Sequence, residues 1–149
     1  KEGNPDAIVF PKAHVDGSPY DFSFSGVKSS VLNYINGCKM RGETYNQADI
    51  AASFQKAVTG VLVDHAMEAV ERYGLKKLAI AGGVASNSAL REAMKQACRE
   101  HGVEFYYPSP ILCTDNAAMI RAAAYYEYIN GARSGWDLNA VPNLKLGER

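Results

Sequence analysis

The sequence is organised around the turn Gly82-Gly83-Val84-Ala85-Ser86-Asn87, which follows the apolar run 77–81 and precedes a helical pattern that begins at Ser88. Glycine has no Cβ atom, so a ligand can approach the backbone of such a turn closely. The free N–H groups at the start of a helix favour an anion. The pattern predicts a nucleotide site between a strand and a helix. An ordinary structural link remains open, because the turn matches neither G-x-G-x-x-G nor the Walker lysine loop.

A second strand and helix follow the first pair. The strand is predicted at 103–107, and Cys113-Thr114-Asp115-Asn116 precedes a helix that ends near Gly131. We predict Asp115 as the N-cap of this helix, because aspartate is a preferred capping residue. A carboxylate at the carboxyl end of a parallel strand is also placed to ligate a metal.

The two strands are predicted to pair in parallel, because a whole helix separates them and right-handed crossovers are the rule. The glycine turn and Asp115 would then lie at the same edge of the sheet, where open α/β sheets bind their ligands. The helix between the strands is expected to end at Gly102. The fold class that follows is α/β, with a short sheet built on a parallel βαβ unit and packed by helices.

Three elements are predicted before this unit. They are a strand at 20–25, a helix at 27–36 closed by Gly37, and a long helix whose apolar steps run from Ile50 to Val70 before Gly74. Two strands form a poor sheet alone, so we expect 20–25 to join as a third strand.

One domain is predicted for residues 1–149, because no boundary signal divides the chain. Its 47% of apolar residues can close a single core, and no apolar run is long enough to span a membrane. The tail at 131–149 shows no clear period, and we expect it to be extended along the core or frayed.

The charged residues balance, with sixteen basic and sixteen acidic side chains, so net charge does not steer the chain toward nucleic acid. A local basic patch is the nearest candidate for such binding, although a solvated helical face explains it as well. Its members lie before and along the helix after the glycine turn: Lys76, Lys77, Arg91, Lys95 and Arg99.

The three cysteines are Cys38, Cys98 and Cys113. Their odd number and the lack of a C-x-x-C pair predict reduced thiols and a cytoplasmic location, without a disulfide scaffold or zinc ribbon. Cys98 is predicted to lie in the core. We interpret Cys113 as a small buried residue, since no placed base supports a role as nucleophile.

Five ordered segments resemble the universal tRNA threonylcarbamoyladenosine transferase family, formerly called glycoprotease or O-sialoglycoprotein endopeptidase. The glycine turn and the motif around Asp115 carry most of the resemblance. The others are Phe10-Pro11, Asp-Phe-Ser-Phe-Ser-Gly-Val-Lys at 21–28 and Ala-Asp-Ile-Ala-Ala-Ser-Phe-Gln at 48–55. The resemblance implies an actin-like, hexokinase-like (ribonuclease H-like) ATPase fold of two lobes, of which this chain resembles the C-terminal lobe.

The family's other lobe supplies a pair of histidines spaced His-x-x-x-His and a phosphate loop. Here His14, His65 and His101 are scattered. We therefore expect the chain to be a piece of a longer protein without its N-terminal lobe, and to be inactive alone.

The activity implied by the resemblance is transfer of the threonylcarbamoyl group from threonylcarbamoyl-AMP to the adenosine beside the tRNA anticodon. Asp115 would ligate one divalent metal, iron or zinc, completed by the histidines of the other lobe. Gly82 and Gly83 would let threonylcarbamoyl-AMP or ATP lie on the backbone, and Asn87 would hydrogen-bond the nucleotide's sugar or nearby groups. The implied partners are tRNA, accessory subunits and the missing lobe, with no membrane.

Three alternatives remain at this stage. A non-catalytic nucleotide-binding or subunit-docking module would keep the glycine turn and use Asp115 only as a cap. Half of a sugar or acetate kinase would share the fold but needs a base for the phosphoryl acceptor. A metalloendopeptidase is disfavoured, because the chain contains neither H-E-x-x-H nor G-x-S-x-G.

Overall fold

The computed structural model describes residues 2–12 and 20–145. Internal contacts divide the chain into two compact units, Lys1–Cys113 and Thr114–Arg149, and each is described by itself. That residues 1–149 form one domain stays a prediction. No helix in the described part of the chain is long and apolar enough to cross a bilayer.

The described residues of the first unit form three α-helices, two strands and two short 3₁₀ turns. The α-helices are α1 (Ser25–Arg41), α2 (Gln47–Arg72) and α3 (Ser88–Glu100). The strands are β1 (Lys77–Ala79) and β2 (Glu104–Tyr106), and the 3₁₀ turns are Gly83–Ser86 and Pro110–Leu112. Between residues 114 and 145, the second unit has one helix, α4 (Ala117–Ile129).

The sheet confirms the predicted parallel pairing. Lys77 lies opposite Glu104 and Ala79 lies opposite Tyr106, with α3 connecting the two strands. Both strands are shorter than predicted, although Ile80 still donates its N–H to the Tyr106 carbonyl at 3.0 Å. The carboxyl ends of β1 and β2 therefore meet at one edge, from which the glycine turn and the loop at 107–113 both leave. The α/β class and the βαβ unit are confirmed.

The predicted strand at 20–25 is wrong. Residues 21–24 have no regular structure, and α1 begins at Ser25. The Phe22 ring stacks on that of Phe24, with centroids 5.8 Å apart, and on His65 of α2 at 4.9 Å. The alternating aromatic residues pack against a helix instead of entering a ladder. In the described residues the sheet has two strands.

Helix α1 is longer than predicted. It passes through Gly37 and ends at Arg41, where Gly42 takes the left-handed conformation with φ 69°. A glycine inside a helix costs about 1 kcal/mol relative to alanine. Continuing the helix buries Cys38, which is 3% exposed, and this burial offsets the cost. The predicted helix ends at Gly74, Gly102 and Gly131 are confirmed by positive φ at each position.

Helix α2 connects two hydrophobic clusters in the first unit. Its N-terminal half packs on α1, in a cluster centred on Phe10, Val27, Ile50 and Val61. Its C-terminal half packs on α3 and the sheet, in a cluster centred on Met67, Val70, Leu90, Met94 and Cys98. Cys98 is 1% exposed, which confirms its predicted core position, and burial raises the pKa of its thiol.

The second unit is built on α4, in which no residue is buried. Its exposed side chains include three tyrosines, Tyr125, Tyr126 and Tyr128. The Arg133 guanidinium lies 3.9 Å from the centre of the Tyr128 ring and donates to the Tyr128 carbonyl at 2.8 Å. The tail from Gly131 to residue 145 is exposed and contains only turns.

Candidate functional site

The glycine turn has a backbone conformation that requires glycine. Gly82 has φ 83° and ψ 174°, a region that is essentially restricted to this residue. Gly83 begins the 3₁₀ turn, and both glycines are exposed. The first N–H groups of a helical turn have no partner inside it. Ala85 is only 2% exposed and anchors the turn, so its outer side presents backbone groups to a ligand.

Asn87 closes the turn and caps α3. Its side-chain Oδ1 accepts from the Leu90 N–H at 3.0 Å, and its Nδ2 donates to Oε1 of Gln55 on α2 at 3.3 Å. The bond to Leu90 satisfies one of the free N–H groups at the helix start. The bond to the exposed Gln55 is long for an amide pair, so Nδ2 is the atom that a ligand can recruit without uncapping the helix.

Asp115 is not the helix cap that the sequence predicted. Asn116 occupies that position, and its Oδ1 accepts from the Met119 N–H at 2.9 Å. Both residue types cap well, and the helix begins one residue later than expected. Asp115 is exposed, and its carboxylate makes no hydrogen bond or ion pair with the residues that the structure describes. Its oxygens are therefore open to a ligand.

A complete metal site is not formed by the part of the chain that the structure describes. No three histidine, cysteine, aspartate or glutamate side chains come together there in a way that could hold an ion. His65 Nδ1 is buried without a hydrogen-bond partner among the described residues, and His101 Nδ1 lies 2.7 Å from Glu71. His14 lies outside the described residues. Asp115 could therefore hold a metal only as one of several ligands, because the described residues do not gather a complete set around it.

Asp64 and His65 are neighbours on α2, but each has a partner in a different segment of the described chain. Asp64 lies 2.8 Å from the ammonium group of Lys12, whereas the His65 ring stacks on Phe22. Adjacent residues of a helix point in different directions, and each here finds a partner from a different segment.

The basic patch is less open than the sequence suggests. Lys77 Nζ lies 3.9 Å from the Glu104 carboxylate, and Arg99 donates to Gln96 at 3.4 Å. Arg91 is half-buried, and its guanidinium contacts the backbone and Cys113. The helical periodicity of 88–100 places Arg91 one position after the core residue Leu90. This position was the only signal in the sequence that Arg91 would contact the interior.

All three cysteines are free and buried. Cys113 is 2% exposed, which confirms its interpretation as a buried small residue. Its Sγ lies 3.1 Å from Arg91 Nη2 and 3.5 Å from the Ser109 carbonyl oxygen. The thiol therefore takes part in the packing of the loop that follows β2.

Comparison with known proteins places this chain in a family. The family model of tRNA N6-adenosine threonylcarbamoyltransferase matches residues 1–122. Proteins of that name are 58% identical in Clostridium botulinum strain Hall and 60% identical in Clostridium beijerinckii, each over all 149 residues. A third, from Clostridium kluyveri, is 57% identical. The chain spans 44% of the length of each of these relatives. Because the family model matches most of the chain, the chain belongs to the tRNA N6-adenosine threonylcarbamoyltransferase family.

Proposed function

We propose that the protein to which this chain belongs transfers a threonylcarbamoyl group from threonylcarbamoyl-AMP to the N6 amine of an adenosine beside the tRNA anticodon. The observation that carries the proposal is the exposed Gly82-Gly83 turn at the carboxyl edge of a parallel strand pair, followed by a helix capped by Asn87. The names of the relatives support the reaction. We further propose that the chain forms the C-terminal lobe of an actin-like fold, with the N-terminal lobe as its partner.

In this reaction the amine attacks the carbamoyl carbon, the new C–N bond forms, and the bond from that carbon to the phosphate oxygen breaks. The amine loses a proton, and AMP leaves with an additional negative charge. We assign the turn to the phosphate and ribose of the leaving nucleotide. Backbone N–H groups at Gly83 and at the start of α3 favour that anion, and the Asn87 amide donates to the sugar.

We propose Asp115 as one ligand of a divalent iron or zinc ion, with the remaining ligands supplied by residues outside this chain. Its exposed carboxylate without a partner among the described residues supports the assignment. When bound, such an ion supplies a Lewis acid for the carbamoyl oxygen. The chain alone is expected to bind the metal weakly and to have no transfer activity.

The proposed partners are tRNA and the accessory subunits of a threonylcarbamoylation complex. We propose a cytoplasmic location, because three buried free thiols without a disulfide suit a reducing compartment. A basic surface for tRNA would need contributions beyond the patch along α3, since Lys77 already pairs with Glu104 and Arg91 contacts the backbone.

The second candidate function is a non-catalytic nucleotide-binding or docking module, in which Asp115 would serve only as a helix cap. Asn116 fills that role instead, so the candidate loses its explanation for the carboxylate. The same difference makes the two candidates distinguishable in the longer protein, because only the transferase requires Asp115 for activity.

Titration calorimetry with ATP and AMP tests the nucleotide site in this chain. We compare wild type with Asn87→Ser, which keeps a capping oxygen but removes the amide donor. The transferase proposal expects wild type to bind and the variant to bind at least fivefold more weakly, with a melting temperature lowered only slightly by the loss of the bond to Gln55. Equal binding by both would remove Asn87 from the site. Absence of binding by wild type would overturn the proposal that the turn is a nucleotide site in this chain.

A further inference from the structure

We propose that Arg91 is a positioning residue, which fastens the glycine turn at 82–87 to the loop at 107–113 that leads to the Asp115 motif. The inference rests on the proposed function in one respect, namely that the turn binds a nucleotide. The fastening itself stands on contacts within the first unit and can be tested without any ligand.

One side of the contact is the glycine turn. Arg91 lies on the first part of α3, and its Nε donates to the carbonyl oxygen of Ala85 in the turn. Ala85 is 2% exposed, so this carbonyl belongs to the buried side of the turn. A buried carbonyl needs a donor, and Arg91 supplies it. The opposite, exposed side of the turn remains available to a ligand.

The other side of the contact is the loop after β2. Arg91 Nη2 donates to the Pro108 carbonyl oxygen at 2.8 Å and lies 3.1 Å from Cys113 Sγ. The guanidinium also stacks over the Tyr107 ring, 4.8 Å from its centre. One side chain therefore holds both the beginning and the end of the loop.

The chemistry of this contact requires arginine. A guanidinium presents five donors in a fixed plane, whereas a lysine ammonium is a point charge on a flexible stem. Nε and Nη2 point to different segments, so a single planar group sets the distance between the turn and the loop. In the described residues the hydrogen-bond partners of Arg91 are two carbonyl oxygens and a thiol sulfur, and hydrogen bonds from a charged donor to carbonyl oxygens are stronger than neutral ones.

The loop held by Arg91 lies just before Asp115 in the sequence. Cys113 is the last residue of the loop, and Asp115 follows it after one residue. Arg91 thus fixes the glycine turn and Cys113, the last residue of the loop, relative to each other within the first unit. Loss of the guanidinium frees the Ala85 carbonyl and the Cys113 thiol together.

Thiol labelling tests the fastening directly. Wild type, Arg91→Gln and Arg91→Lys are treated with iodoacetamide at neutral pH, and the modified cysteines are identified by mass spectrometry. Cys98 serves as an internal control, because it lies in the core away from Arg91. We expect Cys113 to be modified at least tenfold faster in Arg91→Gln and at least threefold faster in Arg91→Lys, with Cys98 unchanged. Cys113 rates equal to wild type, or rates that rise only in step with those of Cys98, would overturn the proposal.

Nucleotide affinity then separates positioning from a local packing role. We expect the dissociation constant for ATP to rise at least fivefold in Arg91→Gln and to return partly toward wild type in Arg91→Lys. The matched control is Arg99→Gln, an exposed arginine on the same helix, which should change neither measurement. An unchanged ATP affinity in Arg91→Gln, with Cys113 exposed, would show that Arg91 does not position the turn.

The outcomes distinguish the two proposals. If wild type fails to bind ATP, the nucleotide site fails, and the labelling rates still decide whether Arg91 holds the loop. If Arg91→Gln does not fold, Arg91→Lys provides the same comparison, since it keeps the positive charge and loses only the planar fork.

Discussion

The side-chain amide of Asn87 donates to the side-chain oxygen of Gln55 across 3.3 Å, and thereby joins the glycine turn to helix α2. The two residues belong to different segments of the family resemblance, one at 48–55 and the other at 82–87. The bond lies at an exposed position on the Gln55 side. It orients the amide of Asn87, while Oδ1 holds the cap on Leu90.

A double-mutant cycle measures this relationship. Asn87→Ala removes a helix cap and should lower the free energy of unfolding by about 1 kcal/mol. Gln55→Ala should cost about 0.5 kcal/mol or less, since it is an exposed substitution. Urea unfolding of both variants and of the double variant gives the coupling energy. We expect a coupling of a few tenths of a kcal/mol. A coupling of zero would contradict the bond.

Gly82 and Gly60 should respond to alanine with opposite signs. Gly82→Ala forces a side chain into φ 83°, which should cost about 1 to 3 kcal/mol of stability. Gly60 lies inside α2, and a Cβ there meets no atom within 4 Å. Gly60→Ala should therefore stabilise by about 0.5 to 1 kcal/mol. Thermal unfolding of the two variants checks both signs, and a neutral Gly82→Ala would argue against the strained turn.

Separate alanine substitutions of Asp115 and Asn116 should distinguish metal binding from helix capping. Asn116→Ala should reduce the stability of α4 by about 1 kcal/mol, measured by helical circular dichroism on heating. Asp115→Ala should change stability by no more than about 0.5 kcal/mol, because its carboxylate is exposed and makes no hydrogen bond or ion pair with the described residues. In the longer protein Asp115→Ala should abolish bound metal, whereas Asn116→Ala should retain it. The reverse pattern would restore Asp115 as the cap.

Glu43 should titrate below its ordinary pKa of 4.5, since it accepts hydrogen bonds from Arg41 at 2.7 and 2.8 Å that favour the ionised form. Its pKa is lower in the folded state than in the unfolded state. The pair therefore stabilises the fold above the unfolded pKa, and this contribution is lost as pH falls through the folded value. Carbon-13 NMR titration checks the direction. Arg41→Gln should return the pKa toward 4.5, and an unaltered value in that variant would exclude Arg41 as the cause.

Local signals in the sequence predicted most of the first unit and the end of α4. The apolar runs before Gly82 and after Gly102 predicted the parallel strands, and the glycines at 74, 102 and 131 predicted the helix ends. These features depend on residues close together in the chain, because helical periodicity and glycine's access to positive φ are local properties. The family resemblance had the same origin, in short ordered motifs.

Local signals did not predict the structure of the segment at 20–25 or the residue that caps α4. Alternating aromatic residues predicted a strand at 20–25. In the structure, however, the Phe22 ring stacks on His65 at the surface of α2. Two adjacent capping residues left the start of α4 ambiguous by one position, and the structure selected Asn116. In each case the two local alternatives, strand or irregular segment at 20–25 and Asp115 or Asn116 as the cap, differ in free energy by about 1 kcal/mol. Packing against the rest of the protein therefore decides between them.

The sequence by itself determined the α/β order, the parallel unit, the glycine turn and the family. Only the tertiary structure decided that Arg91 donates to the backbone carbonyl oxygens of Ala85 and Pro108, and that Asn87 reaches Gln55. Their partners lie in other segments of the chain. Periodicity specifies which face of a helix is buried. It does not specify which distant carbonyl or amide a long polar side chain will meet, because that depends on how the folded segments pack together.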